Sequence, residues 1–119
     1  MVVALMLAAC GSSTGTQPSG PRQVSPQIDS VEVLILESFP VQVNARVQGT
    51  LGDGCTSMGE MTQQRNGNEI TVTITANHSG AETCTMIAQL LDETIPLEGE
   101  FPTGEYVLRV NGVEERFQV

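Results

Sequence analysis

Lysine is absent from this chain, and its five basic residues face fourteen acidic ones, for a formal net charge of −9. Such an imbalance opposes binding to nucleic acid or to anionic lipid. A cationic partner or a divalent ion would suit it, although acidity alone describes an ordinary solvated surface. Histidine occurs once, at His78, in Asn77-His78-Ser79-Gly80, which reads as a loop. Neither a Gly-x-Ser-x-Gly elbow nor a phosphate-binding glycine loop accompanies it. The chain is therefore expected not to be an enzyme and to need no cofactor. A Cys-x-x-Cys pair is missing, which argues against dithiol redox chemistry. An Asp-x-Asp-x-Asp-Gly pattern is missing too, so Glu98, Glu100, Glu114 and Glu115 read as solvated surface and not as a calcium loop. Asn77-His78-Ser79 satisfies the N-glycosylation sequon by chance. The apolar run Met1 to Ala9 falls far short of the roughly 20 residues that cross a bilayer as a helix.

That short run is nevertheless informative. It ends in Leu7-Ala8-Ala9-Cys10, followed by Gly11-Ser12-Ser13. An aliphatic residue, two small residues and a cysteine resemble the lipobox of bacterial lipoproteins. The resemblance implies a signal peptide over 1–9 and lipidation of Cys10, which would become the first residue of the mature protein. Two or more acyl chains give stable anchoring, at about 0.8 kcal/mol per buried methylene. Arg22 is the first basic residue, so the usual positive stretch before the apolar run is lacking, and the natural start is expected to lie upstream. The competing reading of 1–10 is a short buried strand with a chance cysteine. Gly11 occupies the position where an aspartate would signal inner-membrane retention in some bacteria. The following stretch to Gln27, rich in glycine, serine and proline, has little to bury. With Cys10 it is expected to be a flexible linker (10–27), spanning about 20–25 Å.

Residues 28–119 form the expected domain, and all fourteen acidic residues lie in it. Val41, Val43, Ala45 and Val47 alternate with polar residues, as do Ile70, Val72, Ile74 and Ala76 with threonines between them. Period-two alternation marks strands with one buried and one wet face. Ile28 to Glu37 also reads as extended, and as covered on both faces. Asn66-Gly67 and Asn111-Gly112 are hairpin signals, since both central residues of a type I′ turn need positive φ. A two-residue turn at Asn111-Gly112 sets Val110 opposite Val113, Arg109 opposite Glu114 as an outward ion pair, and Tyr106 opposite Phe117. It also sets Glu115 opposite Leu108 on the inner face, which a bulge or an open sheet end must resolve. Asn77 to Leu91 is harder to assign, with a possible helical turn near Thr85–Leu90.

Phe101-Pro102-Thr103-Gly104-Glu105-Tyr106 leads into an apolar strand. This stretch, within Leu91–Val119, resembles the penultimate strand of immunoglobulin-like bacterial domains. The resemblance implies a half-buried tyrosine with its hydroxyl near the sheet rim. Short strands with regular turns point to an all-β, immunoglobulin-like β-sandwich of about seven antiparallel strands, with a small β-barrel as the alternative.

Three cysteines leave one to explain in an exported chain. Lipidation of Cys10 leaves Cys55 and Cys84, for which a disulfide is the default outside the cytoplasm. It would stabilise by roughly 3–4 kcal/mol, closing a loop of about 30 residues, a gain for a domain with one tyrosine, three phenylalanines and no tryptophan. A second reading gathers Cys55, Cys84, Met58, Met61, Met86 and His78 as soft ligands for copper; against it, methionines commonly fill core gaps. The sequence thus points to a membrane-anchored, extracytoplasmic binding or structural module of the cell envelope, with an unknown protein or glycan partner. The alternatives are a copper-handling protein and a protease inhibitor presenting Gly49–Ser57 or Ala76–Cys84.

Overall fold

A computed structural model describes residues 20–119 of the chain. The expected signal peptide, Cys10 and the linker as far as residue 19 lie outside the described residues. Eight strands make up the described fold: β1 (Arg22–Val24), β2 (Gln27–Leu36), β3 (Gln42–Gly52), β4 (Thr56–Asn66), β5 (Glu69–His78), β6 (Gln89–Pro96), β7 (Glu105–Val110) and β8 (Val113–Gln118). They form a three-stranded sheet, β2-β3-β6, and a five-stranded sheet in which β5 pairs with β1, β4 and β7, and β7 with β8. Two distinct sheets face each other across one core, so the architecture is the sandwich and not the barrel. Among the described residues there is no helix, and the stretch before β6 is irregular, without the possible helical turn near Thr85–Leu90.

The alternating residues named above supply the core. Val43, Ala45 and Val47 of β3 meet Ile70, Val72, Ile74 and Ala76 of β5, with Leu91 and Ile95 of β6 and Tyr106, Leu108 and Val110 of β7. Each fully buried aliphatic side chain contributes about 1.5–3 kcal/mol. Strand β2 departs from expectation. It lies at a sheet edge, Val31 and Val33 pack in part against the core, and Ile35 and Leu36 on its two faces are exposed. Strand β1 is a second departure, because Arg22–Val24 belong to the stretch expected as linker. They pair with Ala76–His78 of β5, whose free edge there offers three backbone partners.

The β7–β8 register is as expected at every pair, from Val110↔Val113 to Tyr106↔Phe117. No bulge intervenes at Leu108↔Glu115; β8 is the outermost strand, and Glu115 reaches solvent over its open side. The expected Arg109–Glu114 ion pair is replaced: Arg109 bridges to Glu69 at 3.6 Å and Glu114 to Arg116 at 3.3 Å. In the β4–β5 hairpin the two turn residues are Gly67 and Asn68, with positive φ at Gly67 only. That sign pattern belongs to a type II′ turn, one residue along from the expected Asn66-Gly67.

Strands β5 and β7 are parallel, against the expectation of an all-antiparallel sandwich. The chain leaves β5, crosses to the other sheet as β6 and returns, so β7 runs in the direction of β5. Along one edge of β5, β7 covers Glu69–Val72 and β1 covers Ala76–His78. The gap between them falls at Ile74. Asn111 fills it from the β7–β8 turn: its Oδ1 accepts from the Ile74 amide at 2.8 Å, and its Nδ2 donates to the Ile74 carbonyl at 2.9 Å. Asn111 and Gly112 both have positive φ, which asparagine and glycine tolerate.

Tyr106 is fully buried where half-burial was expected, and its hydroxyl donates to the Pro102 carbonyl. Its ring stacks on Phe117 and tilts against Phe101, with the Arg65 guanidinium 4.7 Å above the Phe101 ring. The fourth aromatic, Phe39, stands fully exposed at the β2–β3 tip.

Replacing Asn111 by glycine keeps the turn conformation and removes the amide that closes the β5 ladder. Chemical denaturation is expected to show a loss of about 1–3 kcal/mol, two hydrogen bonds' worth. Asn111→Ala is expected to lose more, because alanine disfavours positive φ. An unchanged midpoint for both variants would contradict the role given to this side chain.

Candidate functional site

The chemically distinctive corner lies where β3 turns into β4 and where β5 ends. Along β5 the even-numbered residues from Ile70 face inward, and His78 is the next member of that series after Ala76. It is therefore a rim residue of the core, 8% exposed, and not the loop residue that its Asn-His-Ser-Gly context suggests. Thr56 of β4 and Arg22 of β1 flank it across the sheet. Only Asp53, Gly54 and Cys55 separate β3 from β4, so most of the segment Gly49–Ser57, read as a display loop, is strand. Ala76–His78 of the second such segment is strand as well, and the irregular stretch runs from Ser79 to Ala88.

Cys55 and Cys84 form the disulfide, with Cα atoms 5.5 Å apart. It ties the β3–β4 turn to the β5–β6 connection. Two backbone bonds reinforce the tie: Gly54 N–H donates to Thr85 at 2.9 Å and Ser79 N–H to Cys55 at 3.0 Å. A Cβ at Gly54 would run into the Thr85 side chain, which would have to shift.

His78 sits against the disulfide, with Nε2 3.8 Å from the Cys84 sulfur. The Gly80 amide donates to Nδ1 at 3.0 Å, so the ring proton is on Nε2, which donates to Asp53 Oδ2 at 3.4 Å. Asp53 Oδ1 accepts from the Cys55 amide at 2.9 Å and from the Thr56 hydroxyl at 3.1 Å. The Cys55 amide, and after it the Thr56 hydroxyl and the His78 ring, hold the Asp53 carboxyl below its ordinary range. The sequence signal for Asp53 is local: an Asp three residues before a threonine at a strand start is a turn-capping pattern.

The methionines of the alternative copper reading, Met58, Met61 and Met86, are spread apart. A bulge in β4 sets Gly59 and Glu60 opposite Thr75, whose hydroxyl bonds both the amide and the carbonyl of Glu60. The bulge turns Met58 and Met61 to the same face, where Met58 packs against the core and Met61 overhangs the edge, 45% exposed. Met86 is in solvent on the irregular stretch, 91% exposed. With Cys55 and Cys84 bonded to each other, neither of them offers a thiolate to a soft metal.

A family model for the ORF11 β-sandwich domain matches residues 45–119, which include all of this corner. The chain belongs to the ORF11 β-sandwich family. An uncharacterised 10.2 kDa protein in the HgiCIIM 5′ region of Herpetosiphon aurantiacus is 35% identical over 92 residues, covering 77% of this chain and 98% of that protein. A second, in the HgiBIM 5′ region of the same organism, is 33% identical over 82 residues, covering 69% of this chain and all of that protein. No solved structure matches the chain significantly.

Because folding lowers the Asp53 pKa, its contribution to stability is present above the unfolded carboxyl value of 3.8 and is lost as pH falls through the folded one. Asp53→Asn is expected to flatten the acid limb of a stability-against-pH curve in that window; an identical limb would remove Asp53 from the account. Replacing both Cys55 and Cys84 by serine is expected to cost about 3–4 kcal/mol in equilibrium unfolding.

Proposed function

We propose that this member of the ORF11 β-sandwich family is a lipid-anchored, extracytoplasmic lipoprotein, and that it serves as a non-enzymatic binding or structural module at the cell envelope. The observation that carries this reading is Leu7-Ala8-Ala9-Cys10, the lipobox-like run. The disulfide supports it, since Cys55 and Cys84 account for the other two of the three cysteines and suit an oxidising compartment. The entry of the chain supports it too. β1 starts at the β5 terminus, and Gly20 lies against Gly80 beside the disulfide corner. A tether from Cys10 would therefore reach the sandwich at that end and leave the β2–β3 tip, with Phe39 exposed, directed away from the lipid.

The non-enzymatic part rests on the commitments of His78. Its Nδ1 accepts from Gly80, its Nε2 faces Asp53, and the sulfurs beside it are bonded to each other. A general base needs a nucleophile within reach of its free nitrogen. A protein or glycan partner at the envelope fits a small domain with an acidic, soluble surface; nucleic acid does not.

Expressed in a bacterial host from its natural gene, the protein should fractionate with membranes and gain the mass of acyl chains on the peptide beginning at Cys10. Cys10→Ser should release it to the soluble exported fraction. Membrane retention of Cys10→Ser, or an unacylated Cys10 in the native protein, would overturn the anchor.

A further inference from the structure

The side-chain donor atoms of Asp53, Cys55, His78 and Cys84 all lie within 4.8 Å of one another. We propose that when Cys55–Cys84 is opened by a dithiol, these four residues bind one Zn²⁺ ion, so that a metal replaces the covalent link between the β3–β4 turn and the β5–β6 connection. The dithiol passes two electrons and two protons to the cystine and closes to its own disulfide. Zinc then displaces the two cysteine protons, giving a dithiolate complex and two protons in solution.

The distances argue for this geometry. Zinc bonds of about 2.0–2.1 Å to nitrogen, 2.0–2.2 Å to oxygen and 2.3 Å to sulfur give tetrahedral edges of about 3.4 Å for N–O and 3.6 Å for N–S. The observed separations are 3.4 Å from His78 Nε2 to Asp53 Oδ2 and 3.8 Å from His78 Nε2 to Cys84 Sγ. Only the sulfurs must move, to about 3.8 Å apart in a tetrahedral site, which rotation of two side chains with Cα atoms 5.5 Å apart supplies. The harder ligands are already positioned. His78 is held by strand pairing on both sides, and Asp53 Oδ1 takes the Cys55 and Thr56 donors, leaving Oδ2 turned to the site.

The outer shell has one requirement. With zinc on Nε2, the imidazole proton sits on Nδ1 and needs an acceptor. The Gly80 amide now donates there. Rotating the Ser79–Gly80 peptide would present the Ser79 carbonyl instead, and Gly80, at φ +83°, is free to adopt the opposite sign. Zinc accepts thiolate, imidazole and carboxylate together in a tetrahedron, whereas the hard carboxylate oxygen of Asp53 disfavours copper(I).

The test uses the full chain carrying Cys10→Ser, so that only Cys55 and Cys84 supply thiols. The protein is reduced anaerobically with a water-soluble phosphine and titrated with Co²⁺, then Zn²⁺. One tetrahedral cobalt per chain is expected, with thiolate charge-transfer bands and intense visible bands, displaced by one zinc. The oxidised protein should give no such spectrum. His78→Ala and Asp53→Asn, first confirmed as folded in their oxidised forms, should weaken zinc binding about tenfold or more; Met86→Ala should leave it unchanged. Zinc should also raise the thermal midpoint of the reduced chain. A weak octahedral spectrum, two chains per metal, wild-type affinity in His78→Ala, or weaker binding in Met86→Ala would overturn the proposal. It stands or falls separately from the lipid anchor, which every sample in the test lacks.

Discussion

Strand β5 is hydrogen-bonded along both edges, and the rest of the sandwich is arranged around that constraint. One edge is taken by β4 over its whole length, and the other is shared end to end by β7 and β1. A shared edge leaves a gap, and an unpaired buried peptide group costs as much as a lost hydrogen bond. The Asn111 amide completes the ladder at Ile74 by copying the donor and acceptor of a backbone peptide. The same residue supplies the positive φ that turns β7 into β8. Turn chemistry and sheet continuity thus meet in one side chain.

The outer strands carry a second logic. β4 and β8 are two edge strands of the five-stranded sheet, and each turns a charge toward the inner face: Arg65 on β4, opposite Ile70, and Glu115 on β8, opposite Leu108. Inward charges on edge strands discourage pairing with a further strand. Arg65 also has a local use, lying over Phe101 and reaching toward the Glu98 carbonyl. Gln63, on the same face, bonds the Pro96 carbonyl and the Glu98 amide. Polar side chains on β4 thereby close the open side of the core where an apolar strand would leave a bare edge.

Much of the fold was legible because it rests on local chemistry. Alternation in β3 and β5 marked the core strands, and Asn111-Gly112 set the β7–β8 register pair by pair. The pairing of Cys55 with Cys84 followed from counting thiols. In β4 the turn signal after Arg65 marks the strand, while inward Gln63 and Arg65 hide its alternation. β1 was missed because three residues amid proline and serine carry no periodic signal; only the free edge of β5 gives them a partner. The Asn-His-Ser-Gly context of His78 reads as a loop, whereas the β5 alternation, continued by one step, places it inward.

The amino-acid order by itself determined the all-β class, the main core residues and the terminal hairpin, because burial periodicity and turn geometry act over a few residues. Tertiary structure alone decided the parallel pairing of β5 with β7, the exposure of β2, and the meeting of His78 with Asp53 at the disulfide. Those outcomes depend on which edge stays open after the chain has crossed between sheets. Residues 25 positions apart come within hydrogen-bond reach there, and nothing in the local pattern of either one encodes the other.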